Sequence, residues 1–246
     1  MTKALPPAES SATSAAAPAA AHAAAPGIIC TVDVVLLTLR DRALHVVLLK
    51  RRGEPYAGAL ALPGGYIHPE EDATAWDAAA RMLREKTGIV SPYLEQLATY
   101  SGRQRDPRGW SMSVVYYALV PDELLPHDGD GLSVVPVAEL PELPFDHAEI
   151  VQLAVSRVRA KSQYSSLPVY LCGERITLPQ LQAVYEAVLG EPINKVSFRR
   201  KVEELGMLEP VEGELVTGAA HRPAQVYRLR PAFRRELSTV QRGLNA

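Results

Sequence analysis

The sequence contains little cysteine and no long hydrophobic run that is free of charge. Its two cysteines, Cys30 and Cys172, are isolated from each other, which argues against a disulfide framework and a cysteine-rich zinc site. After the N-terminal tail, no stretch of about 18 apolar residues lacks a charge, so the sequence predicts no membrane span. We therefore expect a soluble protein of the reducing cytoplasm.

The sequence also lacks a strong net charge. The formal net charge is −2, which gives no sign of indiscriminate nucleic-acid binding and leaves any DNA contact to a local basic cluster. Up to Lys161 the chain has 15 Lys or Arg against 19 Asp or Glu, and after it 11 against 9. The C-terminal part is therefore mildly the more basic one.

Length and composition predict two globular domains behind a disordered tail. The chain has 246 residues, of which 47% are hydrophobic, and this is enough for a real core. The first 26 residues are rich in Ala, Ser and Pro and suit neither a secretory signal nor a transit peptide. We expect a disordered tail over 1–26, a first domain over 27–162 and a second over 163–246.

Strand and helix patterns are interleaved in the first domain, which indicates an α/β fold. Residues 28–50 are rich in β-branched side chains around a polar turn at Arg40-Asp41-Arg42 and predict a β-hairpin. A Pro-Gly-Gly turn precedes a predicted helix, whose apolar stripe is Trp76, Ala80 and Leu83. This helix is predicted over 73–86. After it the sequence predicts a loop over 100–110, a strand over 111–120 and an exposed acidic loop over 121–131. A closing helix is predicted from Asp146, its N-cap, to about Lys161.

The second domain has the pattern of a winged helix-turn-helix. Thr177 and Gln180 form a capping-box pattern, and Gly190 and Gly206 end the two helices. The predicted elements are helices over 178–189 and 194–205, the second with Phe198, Val202 and Leu205 as its apolar face, and short strands over 207–211 and 225–229.

One segment of the first domain resembles the Nudix box, whose pattern is G-x5-E-x7-R-E-U-x-E-E-x-G-U, with U a bulky aliphatic residue. Gly65 and Glu71 have the family's spacing, although the segment from Glu71 to Arg81 is two residues longer than the pattern. The later residues in register are Arg81, Leu83, Glu85, Gly88 and Ile89. The sequence FDHAEI (145–150) also resembles the segment that commonly closes Nudix domains. The resemblance implies an α+β Nudix-like sandwich.

The metal-binding part of this box is degenerate. The family places three carboxylates at i, i+3 and i+4 on one helical face, where they hold Mg²⁺ against a diphosphate. Here those positions are Met82, Glu85 and Lys86: a thioether that hard Mg²⁺ disfavours, one carboxylate and a cation that repels it. We expect no metal site and no catalytic residue, with the Lys86 ammonium near the place of the family's cation.

A pocket for an anionic nucleotide is the favoured interpretation of this region, with no cofactor required. Basic residues follow the first hairpin at Lys50, Arg51 and Arg52, and others lie in the 100–110 loop with Trp110. The alternatives stay open that the box helix is only scaffold and that both basic segments are ordinary surface. The expected ligand-binding residues are Arg51, Arg52, Gly65, Glu71, Arg81, Glu85, Lys86, Arg105 and Arg108. We expect His68 and His147 to be loop and helix-start residues, since neither has a metal-binding partner at ligand spacing.

The second helix of the helix-turn-helix is the candidate DNA-reading element. Its basic residues lie on the side away from its apolar face, as a helix in a major groove requires. A charged, solvated surface is the alternative for any single basic run. The expected DNA-binding residues are Asn194, Lys195, Ser197, Arg199, Arg200 and Lys201 on the helix, with His221 and Arg222 at the tip of the wing.

The combination of both parts resembles the Nudix-related transcriptional regulators of NAD metabolism, the NrtR family. It rests on RDPRGWSMSVVYYALV, ITLPQLQAVYEAVLG, NKVSFRRKVEELGML and HRPAQVYRL and covers about residues 28–231. It implies a homodimeric repressor of cofactor-biosynthesis genes that binds an operator in double-stranded DNA and senses ADP-ribose, NAD or a related nucleotide. Two other interpretations remain: an active Nudix hydrolase of the ADP-ribose pyrophosphatase type, and a C-terminal domain that binds protein.

Overall fold

The computed structural model describes residues 27–125, 131–216, 223–234 and 237–240. The expected tail over 1–26, part of the acidic loop, and His221 and Arg222 lie outside these residues. Within them the strands are β1 (Ile29–Arg40), β2 (Ala43–Lys50), β3 (Leu60–Ala61), β4 (Gly64–Tyr66), β5 (Tyr93–Asp106), β6 (Gly109–Leu119), β7 (Leu132–Pro136), β8 (Ile176–Thr177), β9 (Leu208–Val216) and β10 (Ala224–Leu229). The α-helices are α1 (Ala75–Thr87), α2 (His147–Ser162), α3 (Leu178–Leu189) and α4 (Lys195–Leu205).

A seven-stranded mixed sheet forms the centre of the N-terminal half. Its main order is β3-β2-β1-β6-β5, with β4 paired to β1 and β7 to β2, and β1 runs parallel to β6. Alternate residues of β1 point to opposite faces: Val34 and Leu36 pack in the cluster with α1, whereas Val35 and Leu37 pack in the cluster with α2. The sheet is thus covered on both faces, as the α/β prediction requires.

Two hairpins build most of this sheet. In the first, the predicted one, Asp41 and Arg42 both have positive φ angles, of 49° and 62°, a turn that suits the twist of a tight hairpin. The second joins β5 to β6 at Pro107-Arg108 and pairs Asp106 with Gly109. The loop expected over 100–110 is therefore wrong: these residues extend the two strands, because cross-strand pairing outweighs the local polarity of the sequence.

The two helices that cover the sheet differ in detail from their predictions. In α1, Leu83 is buried but Trp76 is 50% exposed, and its indole N–H donates to the Leu94 carbonyl at 3.3 Å. The predicted stripe is wrong for Trp76, because the helix packs through small residues beside Met82 and Leu83. The closing helix α2 is confirmed, but Asp146 makes no side-chain cap hydrogen bond.

The C-terminal half has the helix-turn-helix and hairpin order that the sequence predicts. Helices α3 and α4 are followed by β9 and β10, which form a three-stranded sheet with β8 in the order β8-β10-β9. Phe198, Val202 and Leu205 of α4 are buried as expected, in a cluster that continues to α2 and the central sheet. No helix in the described part of the chain is long and apolar enough to cross a membrane.

Candidate ligand pocket and nucleic-acid interface

The turn that enters the Nudix-like box has two glycines at positions where the chain approaches its neighbours closely. A Cβ atom on Gly64 would lie 2.2 Å from Asp33 Oδ1, and one on Gly65 would lie 2.4 Å from Met82 Sδ. Both glycines belong to β4, which pairs with β1. The strand can therefore lie directly against α1.

Arg81 and Asp72 fix the loop between β4 and α1. Arg81 donates from Nε to Asp72 Oδ1 at 2.8 Å, from Nη2 to Asp72 Oδ2 at 2.6 Å, and to the Tyr66 carbonyl at 3.1 Å. The His68 amide also donates to Asp72 at 2.8 Å. The hydrogen bond from Arg81 lowers the pKa of Asp72 to about 2. The sequence prediction missed Asp72, which has no counterpart in the box pattern.

The remaining carboxylates of the box surround Arg81. Glu85 Oε2 lies 3.4 Å from Arg81 Nη1, and Glu71 Oε2 lies 3.9 Å from Arg81 Nε. Met82 is buried in the core cluster of α1, and Lys86 is exposed one turn later. Glu71 also lies 3.6 Å from His68 Nδ1, which is a loop contact of the kind expected for that histidine.

These residues do not fit the magnesium ion of the Nudix family. A thioether is a poor ligand for a hard cation, and an ammonium at the third position repels it. Among residues 27–125, 131–216, 223–234 and 237–240, no group of three or more His, Cys, Asp or Glu side chains is placed to hold a metal ion.

A buried ionic network lies beside the box, where β1, the β5-β6 hairpin and α2 meet. Arg105 donates to Asp146 at 2.8 and 3.0 Å and to Asp33 at 3.2 Å, and its side chain is only 9% exposed. Ser113 Oγ donates to Asp33 at 2.6 Å. Arg105 is thus placed in a structural network, because its donors are engaged by two carboxylates, and we do not retain it as a ligand residue.

His147 completes this network at the start of α2. It is 2% exposed, and its Nδ1 accepts a hydrogen bond from the Leu62 amide at 3.1 Å. Burial lowers the pKa of His147, and its Nε2 lies 3.7 Å from Asp33 Oδ1. The histidine is a helix-start residue, as expected, and it connects α2 to the segment before the Gly64 turn.

Two pairs of an arginine and an aromatic ring involve neighbours of the network and box residues in sequence. The guanidinium of Arg51 lies 5.0 Å from the centre of the Phe145 ring, which Tyr56 contacts edge to face at 5.0 Å. Arg108 lies 5.7 Å from the centre of the Tyr66 ring and donates to the Tyr66 hydroxyl at 2.7 Å. Rings and guanidinium groups can bind a base by stacking and a phosphate by charge. Arg52 is exposed near the first pair.

The helix-turn-helix is held in shape by side-chain to backbone hydrogen bonds. Thr177 and Gln180 form the predicted capping box of α3. Glu186 accepts from the Ile193 amide across the turn between the helices and from Gln182 within α3, each at 3.0 Å. The bond from the Ile193 amide, followed by that from Gln182, lowers the pKa of Glu186. Asn194 Oδ1 caps α4 by accepting from the Val196 and Ser197 amides.

Most of the predicted DNA-binding residues lie on the outer side of α4. Lys195, Arg199 and Arg200 are exposed, and Ser197 is half-buried. Lys201 is an exception, because its side chain is 5% exposed on the inner side of the helix, 3.9 Å from Glu204. We therefore remove Lys201 from the candidate contact set.

The described part of the wing is more acidic than the sequence prediction implied. Glu209 accepts from Arg228 at 2.6 Å and Glu214 accepts from Arg175 at 2.7 Å. The expected basic tip, His221 and Arg222, is not among the described residues. The geometry thus places the basic surface of this part of the chain on α4.

Two family models match the chain in the order in which its parts fold. The Nudix domain matches residues 30–154, and the NrtR DNA-binding winged helix domain matches residues 168–229. The first match covers β1 to the middle of α2, and the second covers the helix-turn-helix and most of the wing.

Similar proteins carry both parts. The chain is 37% identical over 209 residues to the ADPR-responsive transcriptional repressor NtrR of Acinetobacter baylyi, covering 82% of each. It resembles the structure of Shewanella oneidensis NrtR bound to a 27mer DNA with a TM-score of 0.80 and 37% identity, over 87% of this chain and 98% of that one. The Nudix domain of the Shewanella protein in complex with ADP ribose matches 55% of this chain and 91% of that one, at 36% identity and a TM-score of 0.50.

Proposed function

Because this chain belongs to the NrtR family, we propose that it is a DNA-binding transcriptional repressor that responds to ADP-ribose or a closely related nucleotide. The regulated genes in this proposal are those of NAD and cofactor biosynthesis. The Nudix domain is the sensor, and the winged helix binds the operator. The Acinetobacter relative is named as an ADPR-responsive repressor, which supports assigning both activities to one chain.

The observation that carries the DNA-binding part is the two-sided character of α4. Its inner side is fixed in the core through Phe198, Val202 and Leu205, while Arg199 and Arg200 are exposed on the other side. A helix that is fixed in this way can enter a major groove without rearrangement of its domain. A protein-binding surface is the less favoured alternative, since the exposed residues of the first two turns of α4 are chiefly basic, and the acidic Glu203 and Glu204 follow only at its C-terminal end.

The ligand part rests on the cationic and aromatic groups around the box. ADP-ribose carries a diphosphate and an adenine, which require positive charge and a stacking surface. Arg51 with Phe145 supplies both, and Lys86 supplies a further charge on α1. Arg108 contributes through its contact with the Tyr66 ring, since its own charge is paired with Asp106 at 2.6 Å. We propose Arg51, Arg52, Gly65, Glu71, Glu85, Lys86 and Arg108 as the ligand-binding region. Arg81, whose donors are engaged by carboxylates as those of Arg105 are, is proposed to order this region.

We propose that the chain does not act as a hydrolase. Nudix hydrolysis requires a carboxylate set that holds Mg²⁺, and Met82 and Lys86 occupy two of its positions. Glu71, Arg81 and Glu85 favour the alternative of an active ADP-ribose pyrophosphatase. However, the carboxylates of Glu71 and Glu85 both lie within 4 Å of the Arg81 guanidinium, which competes with a metal for them.

Helix α2 provides a physical connection between the two parts. Its first residues contact the Arg105 and Asp33 network. Near its other end, Arg159 Nε donates to the Val188 carbonyl of α3 at 3.3 Å. A ligand that alters the network at the start of α2 would therefore act on an element that contacts the helix-turn-helix, and we propose α2 as the route that couples the two sites.

A homodimer is the proposed functional form. Within each chain, the proposed domains are residues 27–162 and residues 163–246. One recognition helix reads only a few base pairs, so paired helices on half-sites about one turn of DNA apart are needed for specificity. We also propose a cytoplasmic location, which a DNA-binding role supports. Sedimentation of the protein with operator DNA tests this, and a complex of one chain per duplex would contradict it.

Gel shifts with the intergenic DNA beside the protein's own gene test the DNA-binding proposal. We expect a sequence-specific complex whose affinity falls as salt rises, since each neutralised phosphate contributes about −0.9 to the slope of log K against log salt. No preference over unrelated DNA at any salt concentration would instead favour the protein-binding alternative.

A further inference from the structure

The outer side of α4 is centred on an apolar residue. With about 100° between successive residues of a helix, the buried residues Phe198, Val202 and Leu205 lie between about 120° and 180° from Val196. Arg200 lies about 40° to one side of Val196, and Arg199 about 60° to the other. Val196 is therefore in the middle of the surface that faces away from the core. The exposed Glu203 lies about 20° from it, two turns closer to the C-terminal end of α4.

Val196 is the most exposed of the large hydrophobic residues in the described part of the chain. It is 77% exposed, although it lies between basic residues on a short helix. A valine has a lower helix propensity than alanine and gains nothing from packing here. Its position therefore suits contact with an apolar group of a partner rather than stability of the free protein.

The major groove offers one such apolar group on its base edges, the C5-methyl group of thymine. A helix that enters the groove with its outer side forward brings the centre of that side nearest to the bases. The neighbouring arginines then reach guanine edges or phosphates on either side. An isopropyl group between two cations has no polar atom to offer, so it discriminates among bases only through a methyl contact.

We propose that Val196 is a specificity-determining residue, which reads a thymine in each half-site through contact with its methyl group. This rests on the proposed DNA-binding function and adds the base that one side chain selects. The contact is well placed geometrically, because Asn194 caps the Val196 amide at 3.0 Å and fixes the first turn of α4. Val196 adds no hydrogen bond to DNA, so its contribution is separable from that of the arginines.

Replacement of single thymines by uracil tests this directly, because it removes only the methyl group. The probe is a duplex that the full-length protein itself selects from a random library, with each thymine of a half-site changed to uracil in turn. For the unmodified protein, we expect Kd to rise about fourfold at one position, as removal of one methyl-sized apolar contact implies. For Val196→Ala, the thymine and uracil duplexes should bind equally at that position.

Val90→Ala is the matched control, since Val90 is a valine of nearly equal exposure, 76%, after α1. This variant should keep the fourfold discrimination. If the selected duplex binds but no thymine shows the effect, or if the effect persists in Val196→Ala, the assignment of Val196 is wrong while DNA binding stands. If the protein selects no duplex, the proposed function fails, and this proposal fails with it.

Discussion

Met82 packs its sulfur atom against Gly65 so closely that a Cβ atom at Gly65 would lie 2.4 Å from Sδ. The position that holds a metal-binding carboxylate in Nudix hydrolases is thus part of the core that joins α1 to β4. The side chain that replaces the metal-binding carboxylate therefore contributes to the stability of the domain.

Gly65→Ala should lower the free energy of unfolding by about 1–3 kcal/mol through overpacking. In a Met82→Ala background, the same change should cost almost nothing, because the obstructing atom is absent. Chemical denaturation of the four proteins of this double-mutant cycle measures the coupling. Additive effects of the two changes would show that the two residues do not restrict each other.

The purified protein should not hydrolyse ADP-ribose in the presence of Mg²⁺. Turnover should stay far below about one per second, a rate typical of enzymes, because Met82 and Lys86 cannot complete the metal site. Glu85→Gln is the control: a trace activity that belongs to the box would fall in this variant, and a contaminating phosphatase would not. Turnover at or above about one per second that is lost in Glu85→Gln would establish a working hydrolase.

The ion pair between Asp72 and Arg81 should stabilise the fold in a pH-dependent manner. The pKa of Asp72 is lowered from 3.8 to about 2 in the folded protein, so its stabilising contribution is present above about pH 4 and is lost as pH falls toward 2. Asp72→Asn should therefore lower the melting temperature at pH 7, and the difference from the unmodified protein should shrink between pH 4 and 2. Glu71→Gln, at an exposed neighbour, should show little effect. A difference that stays constant below pH 4 contradicts the assigned role.

Arg199→Ala and Arg200→Ala should each weaken operator binding without changing nucleotide binding, because both side chains lie on the outer side of α4. An arginine that contacts phosphate should lower the salt slope by about one, and one that reads a base should relax sequence preference at about 1–3 kcal/mol. Arg84→Ala, at an exposed arginine of α1, is the matched control. Unchanged DNA affinity in both α4 variants would remove this helix from the interface.

The sequence predicted elements well wherever local signals and buried periodicity agreed. The first hairpin, the closing helix and the α3 capping box at Thr177 are confirmed, because turn residues and caps act within a few positions. The β5-β6 hairpin was missed, since its pairing joins residues whose own polarity suggests a loop.

The candidate site was predictable only in part. The box pattern identified Arg81 and Glu85, but Asp72, which fixes Arg81, lies in the longer segment before it and has no counterpart in the pattern. Asp33 and Asp146 meet Arg105 only after three elements have assembled, so sequence spacing could not show that Arg105 is buried. The inner position of Lys201 and the central position of Val196 follow from the rotation of α4 about its axis. A search for basic residues alone does not reveal either one.

Titration of ADP-ribose into the protein–operator complex in metal-free buffer, followed by fluorescence anisotropy, tests the central claim that a Nudix pocket without a metal controls the winged helix. We expect saturating ADP-ribose to change the operator Kd by at least about fivefold, the lower range of allosteric coupling. Lys86→Glu should shift the response to higher nucleotide concentration, whereas Lys86→Arg, which keeps the charge, should respond normally. An operator affinity that stays the same while ADP-ribose is bound would show that the Nudix domain does not control the winged helix.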